Sequence, residues 1–132
     1  MNLKIVLVED SADDAFVLQR ALSKAGIGFT LKQLGDGEEA LGYFRSQMEE
    51  GAPVPQAVIL DVKLPRLNGF EVLDWLKNKS TMARVPVIVH SGSSLAADRV
   101  RAVELGAEAF VTKTHDCAVV VQKIKGLFPN SS

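Results

Sequence analysis

Residues 57–73 read Ala-Val-Ile-Leu-Asp-Val-Lys-Leu-Pro-Arg-Leu-Asn-Gly-Phe-Glu-Val-Leu. Val58-Ile59-Leu60 is a short, fully apolar run, the mark of a strand buried on both faces. It ends abruptly on a charged residue, Asp61. Asn68-Gly69-Phe70-Glu71 then opens a helix whose inner face carries Phe70, Leu73 and Leu76. Asp61 stands seven residues before Asn68, too far away to serve as that helix's cap.

The same strand–helix unit recurs on either side of this stretch. Leu3–Val8 is apolar, and residues 12–25 place Ala15, Leu18, Leu22 and Ala25 on one helical face, stopped by Gly26. Phe29–Leu34 is half polar, as suits a sheet edge. Asp36 and Glu39 have capping-box spacing ahead of Ala40, Leu41, Phe44 and Met48. Gly51-Ala-Pro-Val-Pro55 is a loop, because two prolines break any regular element. Downstream, Pro86–Val89 is a fourth strand. Residues 95–105 form a helix with Ala96, Val100 and Val103 inward. Ala109–Val111 is a fifth strand, and a last helix from about 116 to 127 turns Val120, Ile124 and Leu127 inward. Five βα units in series imply an α/β fold with a doubly wound, five-stranded parallel sheet and helices on both faces. Sites in such folds sit beyond the carboxyl ends of the strands.

Composition fits one soluble domain. At 132 residues the chain can bury about two-thirds of its unfolded surface without a staple. A net charge of −1 argues against a large nucleic-acid footprint. No apolar run reaches membrane length, and the first one is too short for a signal peptide. The lone Cys117 excludes an internal disulfide and suits a cytoplasmic protein; it reads as a small core residue rather than a nucleophile. Residues 1–128 are expected to form the domain and 129–132 a tail.

The strand ends carry the chemistry. The first ends in Glu9-Asp10, the third in Asp61, the fourth in Ser91 and the fifth in Lys113. If the first and third strands are neighbours, three carboxylates gather at one rim. Two carboxylates about 5 Å apart repel by roughly 3 kcal/mol at an effective dielectric near 20. Such a cluster calls for a divalent cation or a shared proton, and hard oxygen ligands suit Mg²⁺. Each acid could instead cap the following helix. That accounts for Asp13 and Asp14 behind Ser11, but not for Asp61, Ser91 or Lys113.

Val-Glu-Asp at 8–10, Leu-Asp-Val-Lys-Leu-Pro at 60–65, Asn-Gly-Phe-Glu-Val-Leu at 68–73, Ser91 and Lys113 resemble the receiver domain of two-component response regulators, over about residues 3 to 127. The resemblance implies a flavodoxin-like strand order 2-1-3-4-5 with five helices. It implies a phosphorelay switch in which Asp61 accepts a phosphoryl group from phosphohistidine on a sensor kinase or phosphotransfer protein. Asp10 then resembles the direct ligand of Mg²⁺, Glu9 the holder of a metal-bound water, and the backbone carbonyl of Lys63 a further ligand. Ser91 would meet a phosphoryl oxygen, Lys113 would pair with Asp61 at rest, and Phe110 would be the switch aromatic beside Ser91.

Two positions stand out against the family pattern. Thr114 replaces the usual proline after Lys113, so a trans bond is expected there. Lys63 could reach over the phosphoryl group, though a solvated surface lysine is the simpler reading. His90 reads as a packed residue. Output is expected through binding of an unknown downstream protein, with a homodimer through helix 4, strand 5 and helix 5 as one form. The long loop before Asp61 and the opening Val-Glu-Asp-Ser-Ala-Asp-Asp also resemble regulators paired with phytochrome-type kinases. Other classes fit less well. A phosphatase of the haloacid dehalogenase type wants its nucleophile after the first strand and a second Asp two residues on, where Lys63 stands. A flavin or nucleotide carrier wants phosphate-cradling glycines where Glu9-Asp10-Ser11 stand. An interaction module without phosphorylation leaves the acid–hydroxyl–lysine set without a use.

Overall fold

The computed structural model describes residues 2–65, 67–114 and 116–130. Its elements are β1 (Leu3–Val8), α1 (Ala12–Lys24), β2 (Phe29–Leu34), α2 (Gly37–Glu49), β3 (Ala57–Leu60), α3 (Gly69–Asp74), β4 (Val87–Ser91), α4 (Ala96–Glu104), β5 (Ala109–Thr112) and α5 (Ala118–Leu127). The strands form one sheet in the order β2-β1-β3-β4-β5, and every pairing is parallel. This is the doubly wound order expected from the sequence.

Strand alternation divides the core in two. Val6, Val8, Val58, Leu60, Val87, Val89 and Phe110 point to one face, where Phe44 of α2, Leu73 of α3 and Ala102 of α4 cover them. Leu3, Ile5, Leu7, Ile59, Ile88 and Val111 point to the other, covered by Leu18 and Leu22 of α1 and Val120 and Ile124 of α5. Phe70, Leu73 and Leu76 are buried as expected, although α3 passes into a π-helical turn over Trp75–Lys79. The Ser80 hydroxyl donates to the Leu76 carbonyl at 2.8 Å there.

Three expectations need correction. β4 runs two residues further than Val89, so His90 and Ser91 lie inside the strand, opposite Val111 and Thr112 of β5. α5 starts at Ala118; the Asp116 carboxylate accepts from the Ala118 N–H at 3.1 Å, and Cys117 before it has φ 58°. In α4 the inward face is wrong: Ala96, Val100 and Val103 are exposed, and Ala102 is buried with Leu105 packed beside it. Residues 102 and 105 share a face, and so do 100 and 103. The sequence offers two apolar sets on α4, and periodicity alone does not say which of them meets the sheet.

Candidate functional site

Sheet hydrogen bonding continues past the strand ends and fixes the polar rim. The Glu9 N–H donates to the Leu34 carbonyl at 2.9 Å, and the Asp61 N–H to the Val8 carbonyl at 3.0 Å. The Lys113 N–H donates to the Ser91 carbonyl at 2.8 Å. Consequently Glu9, Asp10 and Asp61 each bring a carboxylate oxygen within 4.8 Å of the others, with Glu9 and Asp61 buried and Asp10 exposed. Lys113 counters this crowd: its Nζ lies 2.6 Å from Glu9 Oε1, 2.7 Å from Asp14 Oδ2 and 2.9 Å from Asp61 Oδ2. Burial opposes the charge on Lys113, but hydrogen bonds to Asp14, Glu9 and Asp61 outweigh it and hold the pKa above the ordinary lysine value. Burial also raises the Glu9 carboxyl, against hydrogen bonds from Lys113 and the Ser11 N–H. One ammonium among these carboxylates leaves the rim anionic, and the all-oxygen set Glu9–Asp10–Asp61 fits a hard divalent cation.

The loop after β3 is held by local geometry. Asp61 Oδ1 accepts from the Lys63 N–H at 2.9 Å, which leaves the Lys63 side chain outside, in solvent. Asn68 caps α3, its Oδ1 accepting from the Phe70 N–H at 2.8 Å. Gly69 follows because nothing larger fits. A Cβ there would stand 2.4 Å from both the Asp61 carbonyl oxygen and Val62 Cα. The Asn-Gly pair thus presses the start of α3 against the backbone of the acidic residue itself.

Ser91 is fully buried, and its hydroxyl accepts from the Ser93 N–H at 3.4 Å. Ser93 donates to Asp98 at 2.5 Å, and Thr112 donates to the Ser93 carbonyl at 3.2 Å. Phe110 is buried too, with the Arg99 guanidinium 5.0 Å from its ring centroid. The bond from Lys113 to Thr114 is trans, as expected.

The sequence reading overlooked two features. Asp14 was assigned to helix capping, but Ser11 does that work: its hydroxyl accepts from the Asp14 N–H at 3.2 Å, and the Asp14 carboxylate turns to Lys113 instead. The spare side chain one turn into α1 was the available signal. His90 lies on the α1 side of β4 and lines a cavity of about 540 Å³ with Asp14, Val17, Lys113, Thr114 and Cys117. Its Nε2 is buried without a hydrogen-bond partner, and burial lowers its pKa to about 4. Burial pushes the Cys117 thiol up, which removes the thiolate a nucleophile would need. His115 lies outside the described residues.

Comparison with known proteins follows the same lines. Residues 5–125 match the response regulator receiver domain family. The response regulator Rcp1 of Synechocystis is 32% identical over 124 residues, spanning 93% of this chain and 84% of its own. The phosphorylated cyanobacterial phytochrome response regulator RcpA superposes with a TM-score of 0.84 at 30% identity, over 100% of this chain and 97% of its own. The Mn²⁺-bound form of Rcp1 superposes with a TM-score of 0.80 at 32% identity, over 95% and 91%. Among the described residues no helix is long and apolar enough to cross a membrane.

Proposed function

The chain belongs to the response regulator receiver domain family of phosphorelay switches, and on that premise we propose that Asp61 is its phosphoacceptor, served by Glu9, Asp10, Ser91, Lys113 and Mg²⁺. The observation that carries this reading is the Lys113–Asp61 contact of 2.9 Å inside a cluster of carboxylates. The contact orients the Asp61 carboxylate and sets an ammonium beside the oxygen that would take the phosphoryl group.

Asp61 attacks the phosphorus of a phosphohistidine on a sensor kinase or phosphotransfer protein. A bond forms from the carboxylate oxygen to phosphorus, the phosphorus–nitrogen bond breaks, and the imidazole leaves. Oδ2 faces Lys113 and Oδ1 faces the Lys63 N–H, so both donors sit where the phosphoryl oxygens gather charge. Mg²⁺, held by Asp10, Asp61, the Lys63 carbonyl and a water on Glu9, would supply positive charge to the same oxygens. Ser91 donates its hydroxyl hydrogen to a phosphoryl oxygen, a donor left free because its oxygen only accepts from the Ser93 N–H. Phe110 packs inward next to it. The chain assists its own dephosphorylation and turns over no external small substrate.

Output runs through binding in the cytoplasm. Leu95, Val100 and Val103 at α4 and Val119 on α5 are exposed apolar side chains on the two helices that flank β5, which supports this end of the sheet as the surface for a downstream protein or a second copy. Residues 1–128 form the switch and 129–132 a tail. Incubation with acetyl phosphate and Mg²⁺, read by intact mass, tests the assignment. One added phosphoryl group is expected, stable to acid and lost to hydroxylamine, and absent from Asp61→Asn. A phosphoryl group that persists in Asp61→Asn would refute it.

A further inference from the structure

The ammonium of Lys113 has three anionic partners, and they are not equivalent. Glu9 and Asp61 are side chains buried to 4% and 6% exposure at strand ends, whereas Asp14 comes from α1 with 48% exposure. Separating Lys113 from a buried carboxylate strands a charge in a poor solvent; separating it from Asp14 returns that carboxylate to water. Asp14 and Lys113 also line the same 540 Å³ cavity, so the two groups have room to part. Asp14 is therefore the partner that Lys113 can release at least cost when a phosphoryl group appears on Asp61. Until then it draws the ammonium toward α1. Its side chain has no capping duty, since Ser11 caps α1 through the backbone N–H of Asp14.

We propose that Asp14 is a positioning residue for phosphoryl transfer: from α1 it withholds part of Lys113's charge from Asp61 and so limits how fast the acceptor is phosphorylated. This rests on Asp61 being the acceptor. It adds a brake that belongs neither to the metal cluster nor to the phosphoryl contacts.

The test is the rate of phosphorylation by acetyl phosphate at saturating Mg²⁺, in the wild type, Asp14→Asn and Asp14→Glu, each with Lys113 intact and as Lys113→Ala. Asp14→Asn is expected to raise the maximal rate about two- to five-fold, the range of an exposed ion pair. The gain should persist at saturating Mg²⁺, because Asp14 acts through Lys113 and is not itself one of the clustered metal ligands. Asp14→Glu should restore the wild-type rate. With Lys113→Ala the Asp14 changes should have no effect. A maximal rate in Asp14→Asn equal to or below the wild type overturns the proposal, as does a gain that persists in Lys113→Ala or one that appears only as altered Mg²⁺ affinity. If the wild type itself takes no phosphoryl group, the fault lies with the acceptor assignment, which that arm reports separately.

Discussion

α1 and α4 lie on opposite faces of one sheet and are attached to it in different ways. α1 is capped by the Ser11 side chain and buries Ala15, Leu18 and Leu22 along one stripe, leaving Phe16 and Val17 outside. α4 has Leu95 at its N-cap with no side-chain cap and buries Ala102 alone, while Val100 and Val103 face solvent. What ties α4 down is largely polar. Ser93 bonds Asp98, an Arg99 N–H donates to the Phe110 carbonyl at 3.0 Å, and the Arg101 guanidinium lies 4.3 Å from the Phe70 ring centroid. The Ser93 tie meets Ser91 through the next hydrogen bond. An element held by apolar burial is a fixed mount, and one held by a few exchangeable polar contacts can be re-set at small cost. α1 thus carries Asp14 on a fixed mount beside Lys113, and α4 is the more easily re-set of the two helices.

The sharpest way to break this contrast is to truncate one apolar side chain in each helix. Leu18→Ala should cost about 3 kcal/mol by leaving a cavity under α1. Val100→Ala should change stability by less than about 0.5 kcal/mol. Urea denaturation measures both, and comparable losses would mean that α4 is anchored as firmly as α1.

Next in size is the cavity beside α1. His90 titrates at about 4 in the folded chain against 6.5 unfolded, so the unfolded state binds more protons between those values. The folded chain should therefore lose about 2 to 3 kcal/mol as pH falls from 6.5 to 4, with no such loss above 6.5. His90→Gln should remove that component. Glu9 contributes to both proteins alike, so the difference between their urea midpoints at pH 4 and pH 7 isolates the imidazole. An identical pH dependence in the two would show that His90 is not held neutral by burial.

The smallest effect concerns the missing cap. Leu95 has the extended backbone of an N-cap, φ −71° and ψ 130°. Leu95→Asp should stabilise the chain by about 0.5 to 1 kcal/mol, by capping free N–H groups and meeting the helix dipole. No gain would mean that the end of α4 is already satisfied through Ser93.

Much of this was legible in the sequence, for reasons that differ by region. The strands could be read because apolar runs such as Val58–Leu60 end sharply on charged residues. The rim could be read because Glu9, Asp10, Asp61 and Lys113 follow strands and Ser91 is the last residue of one, and parallel strands deliver their carboxyl ends to one side. Asp36 and Glu39 announced α2, and the Glu39 N–H does donate to Asp36 at 2.8 Å. The phase of α4 was not legible, since two apolar sets share its sequence and the buried one, Ala102 with Leu105, is the smaller and less apolar-looking. The reach of Asp14 was hidden because it depends on α1 lying beside β5's end, a contact between residues 99 positions apart. The π-helical turn at Trp75–Lys79 carries no periodic signature of its own.

Everything rests on a rim with more negative charge than Lys113 can offset, and calorimetric titration with Mg²⁺ measures that most directly. One ion should bind per chain, and its affinity should fall by at least about ten-fold in Asp10→Asn, which removes a charged ligand. No binding by the wild type, or binding indifferent to Asp10→Asn, would contradict the account.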